Sequence, residues 1–305
     1  MKISIIGAGN VGSLAAMRIV ADGLGDVLLI DVVKGLALGK ALDLEDARPI
    51  LKIDYNISGS EDINDIQGSD IVVITAGLAR KPGMTREELI SKNANILKGI
   101  SLNLKKISPA AIVIVVTNPL DLMTYLVFKL TGFKSSKVFG MGPSLDSSRF
   151  ANLISQELKL PGSDINALVI GIHGEGMLPL IKLTTVKGVS LDKLIGEKKI
   201  EELVKRTVAR GAEIVAASGS AFFAPSAAIA EMVRAIVKDE KKVLGACVYL
   251  NGEYGMKDIY LGTTCCLGKS GIEKVIQLEL TLKEKEKLAA SAKEVSQLLK
   301  QLPLN

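Results

Sequence analysis

The chain holds one histidine in 305 residues, His173, inside GIHGEGMLPL (171–180) and directly after the apolar run ALVI. Histidine is the side chain whose ordinary pKa lets it take or release a proton near neutrality. A solitary one between two glycines has two readings: a proton-transfer group, or a buried ring satisfied by a carbonyl. Three arginines are placed to grip anions. Arg80 and Arg86 fall in TAGLARKPGMTREELI (75–90), hinged by Gly77, Pro82 and Gly83, and Arg149 follows Asp146 by three residues in LDSSRF (145–150). A guanidinium binds a carboxylate through two parallel hydrogen bonds, which a lysine cannot do. The spacing puts Asp146 and Arg149 on one helix face, as an ordinary surface ion pair would also be.

A second constellation stands at the start of the chain. Gly7-Ala8-Gly9-Asn10-Val11-Gly12 follows the strand-like KISII and opens a helical pattern, and DVLLID ends on Asp31, about 20 residues beyond, at the tip of a second strand. Glycines there let the backbone and a helix N-terminus approach a pyrophosphate, while the carboxylate accepts from the adenine ribose hydroxyls. An acid at that tip repels a 2′-phosphate, so the expected cofactor is NAD rather than NADP.

These residues need a scaffold, and the first 140 positions outline one. KISII (2–6), DVLLID (26–31), DIVVIT (70–75), AIVIVV (111–116) and KVFG (137–140) are continuous apolar runs of strand length. Separated by helical patterns such as VGSLAAMRIVADG and GLALGKALDLEDA, they predict a parallel sheet covered on both faces. Loops leaving the carboxyl ends of such strands are where ligands sit, which is where the glycine and arginine segments fall. After about residue 143 the alternation gives way to long helices and a hairpin, VLGACVYLNGEYGMKDIYLGTTCCLG, turning at NGEYG. Ile214 to Ala230 reads as buried helix bent at Gly219 and Pro225 rather than as a membrane span. Thr85 and Thr281, each followed three residues later by glutamate, have capping-box form.

Composition narrows the function class. With 48% hydrophobic and 23% charged residues the chain has core enough for two domains and no disordered signature. The net charge of +5 is spread through the sequence, which suits small anions but not nucleic acid, and 4% aromatic residues with no tryptophan leave no base-stacking surface. Cys247, Cys265 and Cys266 have neither metal nor disulfide spacing, so no metal is expected and a reducing compartment is the simplest setting. MKISII leads straight into the glycine loop, so no targeting segment is expected. A cytoplasmic protein with no membrane partner is the expectation.

The glycine loop, the arginine loop, TNPLD (117–121), LDSSRF (145–150) and IHGEGM (172–177) occur in the order found in the lactate and malate dehydrogenase family, which the chain resembles over nearly its whole length. ARKPGMTR has the form usual in that family's lactate-dehydrogenase-like class of malate dehydrogenases, whereas lactate dehydrogenases commonly carry glutamine for the first arginine. The resemblance implies an α/β chain with a Rossmann NAD-binding domain over 1–142 and an α+β substrate and catalytic domain over 143–305. It implies NAD-dependent, reversible oxidation of (S)-malate to oxaloacetate; a lactate or other 2-hydroxy acid dehydrogenase of the same fold is the alternative function, and a non-catalytic nucleotide-binding sensor the remote one.

By the same resemblance His173 is the acid/base group and Asp146 the carboxylate behind its other ring nitrogen. Arg149 grips the substrate's C1 carboxylate, Arg86 polarises the carbonyl, and Arg80 meets the second carboxylate of a dicarboxylate substrate. Asn118 serves substrate and cofactor together. Val116, Thr117 and Asn93 join Gly7, Ala8, Gly9, Asn10, Val11, Gly12 and Asp31 at the cofactor, with Ala221 on the pocket wall. A homodimer or homotetramer follows, with the helix containing ALDLEDA as a contact. Two positions depart from the family pattern. Glu175 stands where aspartate is usual after HG, and Pro143 where proline is not usual.

Overall fold

The computed structural model describes residues 1–79 and 83–303. Its first half runs β1 (Lys2–Ile6), α1 (Asn10–Ala21), β2 (Asp26–Ile30), α2 (Leu36–Leu51), β3 (Ile57–Ser60), β4 (Ile71–Ile74), α3 (Arg86–Ile107), β5 (Ile112–Val115), α4 (Leu120–Thr131) and β6 (Val138–Gly140). The strands lie in the order β3-β2-β1-β4-β5-β6, all parallel. This is the doubly wound dinucleotide-binding order, which reverses direction at β1. The apolar runs are continuous because both faces are covered. Ile3, Ile5, Ile71, Val73 and Ile114 face one core with α1, while Val72, Ile74, Val113 and Val115 face the other with α3 and α4. That alternation is the period of two of a strand.

The second half runs α5 (Pro143–Leu158), β7 (Ile165–Asn166), β8 (Val169–Gly171), β9 (Met177–Pro179), β10 (Thr185–Val186), β11 (Val189–Ser190), α6 (Glu197–Ser218), α7 (Phe223–Val237), β12 (Lys242–Asn251), β13 (Lys257–Gly268), β14 (Gly271–Ile276) and α8 (Leu282–Leu299). The hairpin β12–β13 turns at Gly252 to Gly255 and continues the main sheet, since Cys247 pairs with Gly140 of β6 and Gly262 with Gly171 of β8. Ile229, Met232, Val233 and Ile236 of α7 join α1 in the first core, so the two halves share apolar packing. Helix α6 ends at Ser218 with Gly219 as its cap, and its last turn is exposed rather than buried as the sequence suggests; α7 begins at Phe223, with Pro225 in its first turn, where a missing N–H costs nothing.

β3 has no counterpart in the sequence reading, because only Ile57 of ISGS is apolar and fully covered. Pro143, noted as a departure, occupies the first turn of α5, where its fixed φ suits helix initiation. Glycines opposite make room for its ring: a Cβ on Gly245 or Gly262 would fall 2.9 or 2.7 Å from it.

Candidate active site

Every functional segment leaves the carboxyl end of a parallel strand or the edge where the hairpin meets β8. After β1 the chain turns at Gly7, whose φ is +108°, and a Cβ there would lie 2.6 Å from Thr75 Oγ1 and 2.7 Å from the Ala76 nitrogen. A Cβ on Gly12 would sit 1.9 Å from the Gly7 carbonyl oxygen, which fixes glycine at the first turn of α1. Gly9 meets nothing within 4 Å, and no side chain caps α1. The turn is thus tight where it packs and bare where a pyrophosphate would approach, with the positive helix end exposed. Asn10 and Val11 form the start of that helix. Asp31 braces the loop: its Oδ2 accepts from the Ala8 N–H at 2.7 Å and its Oδ1 from the Val33 N–H at 2.9 Å.

The segment after β4 is held at its start. Thr75 Oγ1 donates to the Gly7 carbonyl at 2.9 Å, and Thr117 Oγ1 donates to that of Ala76 at 2.7 Å. Asn93 of α3 is fully buried. Its Oδ1 accepts from the Leu78 N–H at 2.7 Å, and its Nδ2 donates to the carbonyls of Leu78 at 3.1 Å and Asn118 at 2.7 Å. Here the amide is committed to Leu78 and Asn118 and ties two loops together. Val116 is half-buried and Asn118 exposed at the end of β5. The capping box at Thr85 forms as the sequence predicts and starts α3 at Arg86. Arg86 Nη1 donates to Glu294 Oε1 of α8 at 2.9 Å. Arg80 lies outside the described residues.

His173 follows β8 between Gly171 and Gly174, whose φ values of +89° and +107° belong to the left-handed region. Ser291 of α8 donates to the Gly176 carbonyl at 2.9 Å and ties the loop down. The imidazole lies against the entry to α5, where a Cβ on Gly142 would come within 3.2 Å of His173 Cγ. Asp146, in the first turn of α5, joins the histidine to an arginine: its Oδ2 accepts from His173 Nδ1 at 2.7 Å, and its Oδ1 from Arg149 Nη1 at 3.4 Å. The three side chains are 2% (Asp146), 14% (His173) and 12% (Arg149) exposed. With Nδ1–H committed to the carboxylate, Nε2 is the nitrogen left to exchange a proton.

The electrostatics suit that use. Burial pulls the His173 imidazolium down, but the Asp146 charge and hydrogen bond, with Asp121 behind, outweigh burial and Arg149 and hold it above its ordinary value. Burial lowers Arg149, with Arg210 adding to the effect and Asp146 opposing it, and the guanidinium remains a cation across the physiological range. Its Nε is buried with no partner among the described residues. An orphaned, desolvated donor is costly, and an incoming carboxylate would satisfy it.

The fold thus brings together His173, Asp146 and Arg149, and separately the glycine loop with Asp31. Arg86 is turned to Glu294, whose carboxylate lies 3.7 Å from where a Cβ on Gly176 would sit. Ala221 is half-buried in the turn between α6 and α7, and Glu175 is exposed beside the imidazole loop. Glu294, Ser291 and Gly142 carry no sequence signal, because each acts through a partner remote in the chain.

Residues 1–140 match the family model of the lactate/malate dehydrogenase NAD binding domain, and residues 143–302 that of the lactate/malate dehydrogenase alpha/beta C-terminal domain. The chain is 48% identical over 305 residues to a malate dehydrogenase of Methanosarcina barkeri, covering 99% of both chains. The solved malate dehydrogenase of Aeropyrum pernix superposes with a TM-score of 0.96 at 43% identity, over 99% of this chain and 98% of that one. A lactate dehydrogenase of Cryptosporidium parvum, solved with lactic acid and nicotinamide adenine dinucleotide, superposes with a TM-score of 0.95 at 38% identity, over 99% and 97%. Backbone likeness therefore does not separate the two activities.

Proposed function

The chain belongs to the lactate/malate dehydrogenase family, and we propose that within it the chain interconverts (S)-malate and oxaloacetate with NAD. The observation that carries this reading is the buried Asp146 carboxylate joined to both His173 and Arg149. It sets a proton carrier beside a carboxylate clamp.

Bound NAD supplies the hydride carrier. The rest is done by side chains of the chain itself. The glycine loop takes the pyrophosphate against the uncapped end of α1, and Asp31 takes the ribose hydroxyls. Arg149 forks the C1 carboxylate and completes its orphaned Nε. His173 Nε2 takes the hydroxyl proton as malate is oxidised and returns it to the ketone oxygen in the reverse direction. Asp146 fixes the tautomer and stabilises the imidazolium. Arg86 leaves Glu294 to meet the carbonyl oxygen as charge builds there. Asn118, Thr117, Val116 and Ala221 border the substrate and nicotinamide.

Malate is favoured over lactate by ARKPGMTR and by the names of the relatives. Oxaloacetate has a carboxylate where pyruvate has a methyl group, and enclosing that charge is costly unless a cation meets it. Arg80 is that cation. The test is steady-state reduction of oxaloacetate and pyruvate by NADH, on the unmutated protein and on Arg80→Gln. A preference for oxaloacetate of about 10²-fold or more, reduced by orders of magnitude in the variant, is expected. Equal use of both substrates by the unmutated protein overturns the assignment.

The division near residue 142, a cytoplasmic location and assembly as a homodimer or homotetramer belong to the same proposal. For assembly the support is α2, which leaves Leu38 and, within ALDLEDA, Leu42 exposed one turn apart.

A further inference from the structure

The TNPLD segment holds a carboxylate that the chemistry above leaves unused. Asp121, in the first turn of α4, is 2% exposed. Its Oδ2 accepts from the backbone N–H of His173 at 3.1 Å, and its Oδ1 from the Cys247 thiol of β12 at 3.3 Å. We propose that Asp121 is a positioning residue for His173: it anchors the backbone of the imidazole loop and keeps a second negative charge, beside that of Asp146, on the imidazole.

Both of its contacts are donors. An amide N–H can only donate, and burial together with the adjacent Asp121 charge pushes the Cys247 thiol well above its ordinary value, so the S–H stays. A protonated Asp121 would have only the thiol sulfur, a weak acceptor, to donate to. Burial raises Asp121 above the usual carboxylate range, and the His173 N–H, the imidazole and the thiol offset that only in part. The helix N-terminus also favours the anion.

An asparagine would accept from the same N–H without burying a charge, so anchoring alone does not call for a carboxylate. The charge has an evident recipient, since only three bonds separate the His173 nitrogen from its ring. The other groups around the imidazole are Asp146 and Arg149 of α5, the Glu294–Arg86 pair at the α8 side of the loop, and exposed Glu175. Behind Asp121 stand Cys247 and, beyond it, Tyr260.

The inference takes His173 to be the proton carrier, but its test does not need turnover. With one histidine in the chain, ¹³C,¹⁵N-histidine labelling gives a single imidazole whose titration is read by NMR on the whole protein without substrate. In Asp121→Asn the midpoint is expected to fall by about one pH unit, with the Nδ1–H tautomer retained, and in Asp146→Asn the tautomer preference itself should be lost. A midpoint in Asp121→Asn within about 0.2 unit of the unmutated value overturns the proposal. Asp121→Ser, also neutral and also an acceptor, carries the same test if the amide variant does not fold. Failure of both to fold overturns it too, since the carboxylate would then serve the fold. A normal shift in a protein that does not reduce oxaloacetate would sink the proposed function and leave this inference standing.

Discussion

The His173 cluster and the arginine loop are built on opposite terms. His173, Asp146 and Arg149 sit on a strand end and a helix, nearly dry, and Asp146 meets both neighbours at once. Arg86, 44% exposed, opens a helix behind a glycine- and proline-rich segment and is held by Glu294, 208 residues away in sequence, in an exposed pair. Charges in the first region act in a low dielectric with geometry already set, so each is worth much. In the second, water competes for the Arg86–Glu294 pair, and the arginine can leave its carboxylate partner for another oxygen at little cost. Proton transfer needs the first kind of site, and admitting and then enclosing a dianion needs the second.

The largest effect should come from emptying the dry cluster. His173→Asn is expected to lower kcat/KM for oxaloacetate by ~10² to 10⁴ while leaving NADH affinity within about twofold. A loss under about fivefold would remove His173 from the chemistry and erase the contrast.

Asp31 is intermediate in exposure, half-buried and bonded to the glycine loop. Asp31→Ser should weaken NADH binding by about tenfold and narrow the gap to NADPH, measured by fluorescence titration of both. Equal binding of the two cofactors by the unmutated protein would contradict the role of the carboxylate.

Glu294→Gln probes the exposed region and should do least. Freeing Arg86 from a solvent-exposed pair is expected to lower KM for oxaloacetate by at most about fivefold, with kcat steady. A fall in kcat beyond tenfold would place Glu294 within the chemistry, and the two regions would no longer be distinct.

The same contrast governs what the sequence discloses. The five apolar runs are strands of the sheet because burial on both faces demands unbroken hydrophobicity, and Thr85 and Thr281 are caps because the capping box is local. β3 stays hidden because it is an edge strand with one covered apolar residue, and the two-residue strands β7, β10 and β11 are too short to show a period. At the site, the lone histidine and the glycine loop stand out by themselves, whereas Asp146 and Arg149 carry the spacing of an ordinary ion pair and are singled out only by the family resemblance. Asp121 and Glu294 do not stand out, because each acquires its meaning from a contact that only folding makes. Asn93 reads as a cofactor contact and is found with its amide committed to Leu78 and Asn118.

The most direct test of a single dry imidazole carrying the proton is the pH dependence of kcat/KM in both directions. Asp146 and Asp121 hold His173 above its ordinary value against burial, so the charged form persists to higher pH than in a free imidazole. Oxaloacetate reduction needs the imidazolium and should fall as pH rises through the midpoint, while malate oxidation needs the neutral ring and should rise through the same midpoint. The expected result is two mirrored curves crossing at one pH above the ordinary imidazole value, both lost in His173→Asn. Curves that bend in the same direction, or that keep their shape without His173, would contradict the assignment of the proton to this residue.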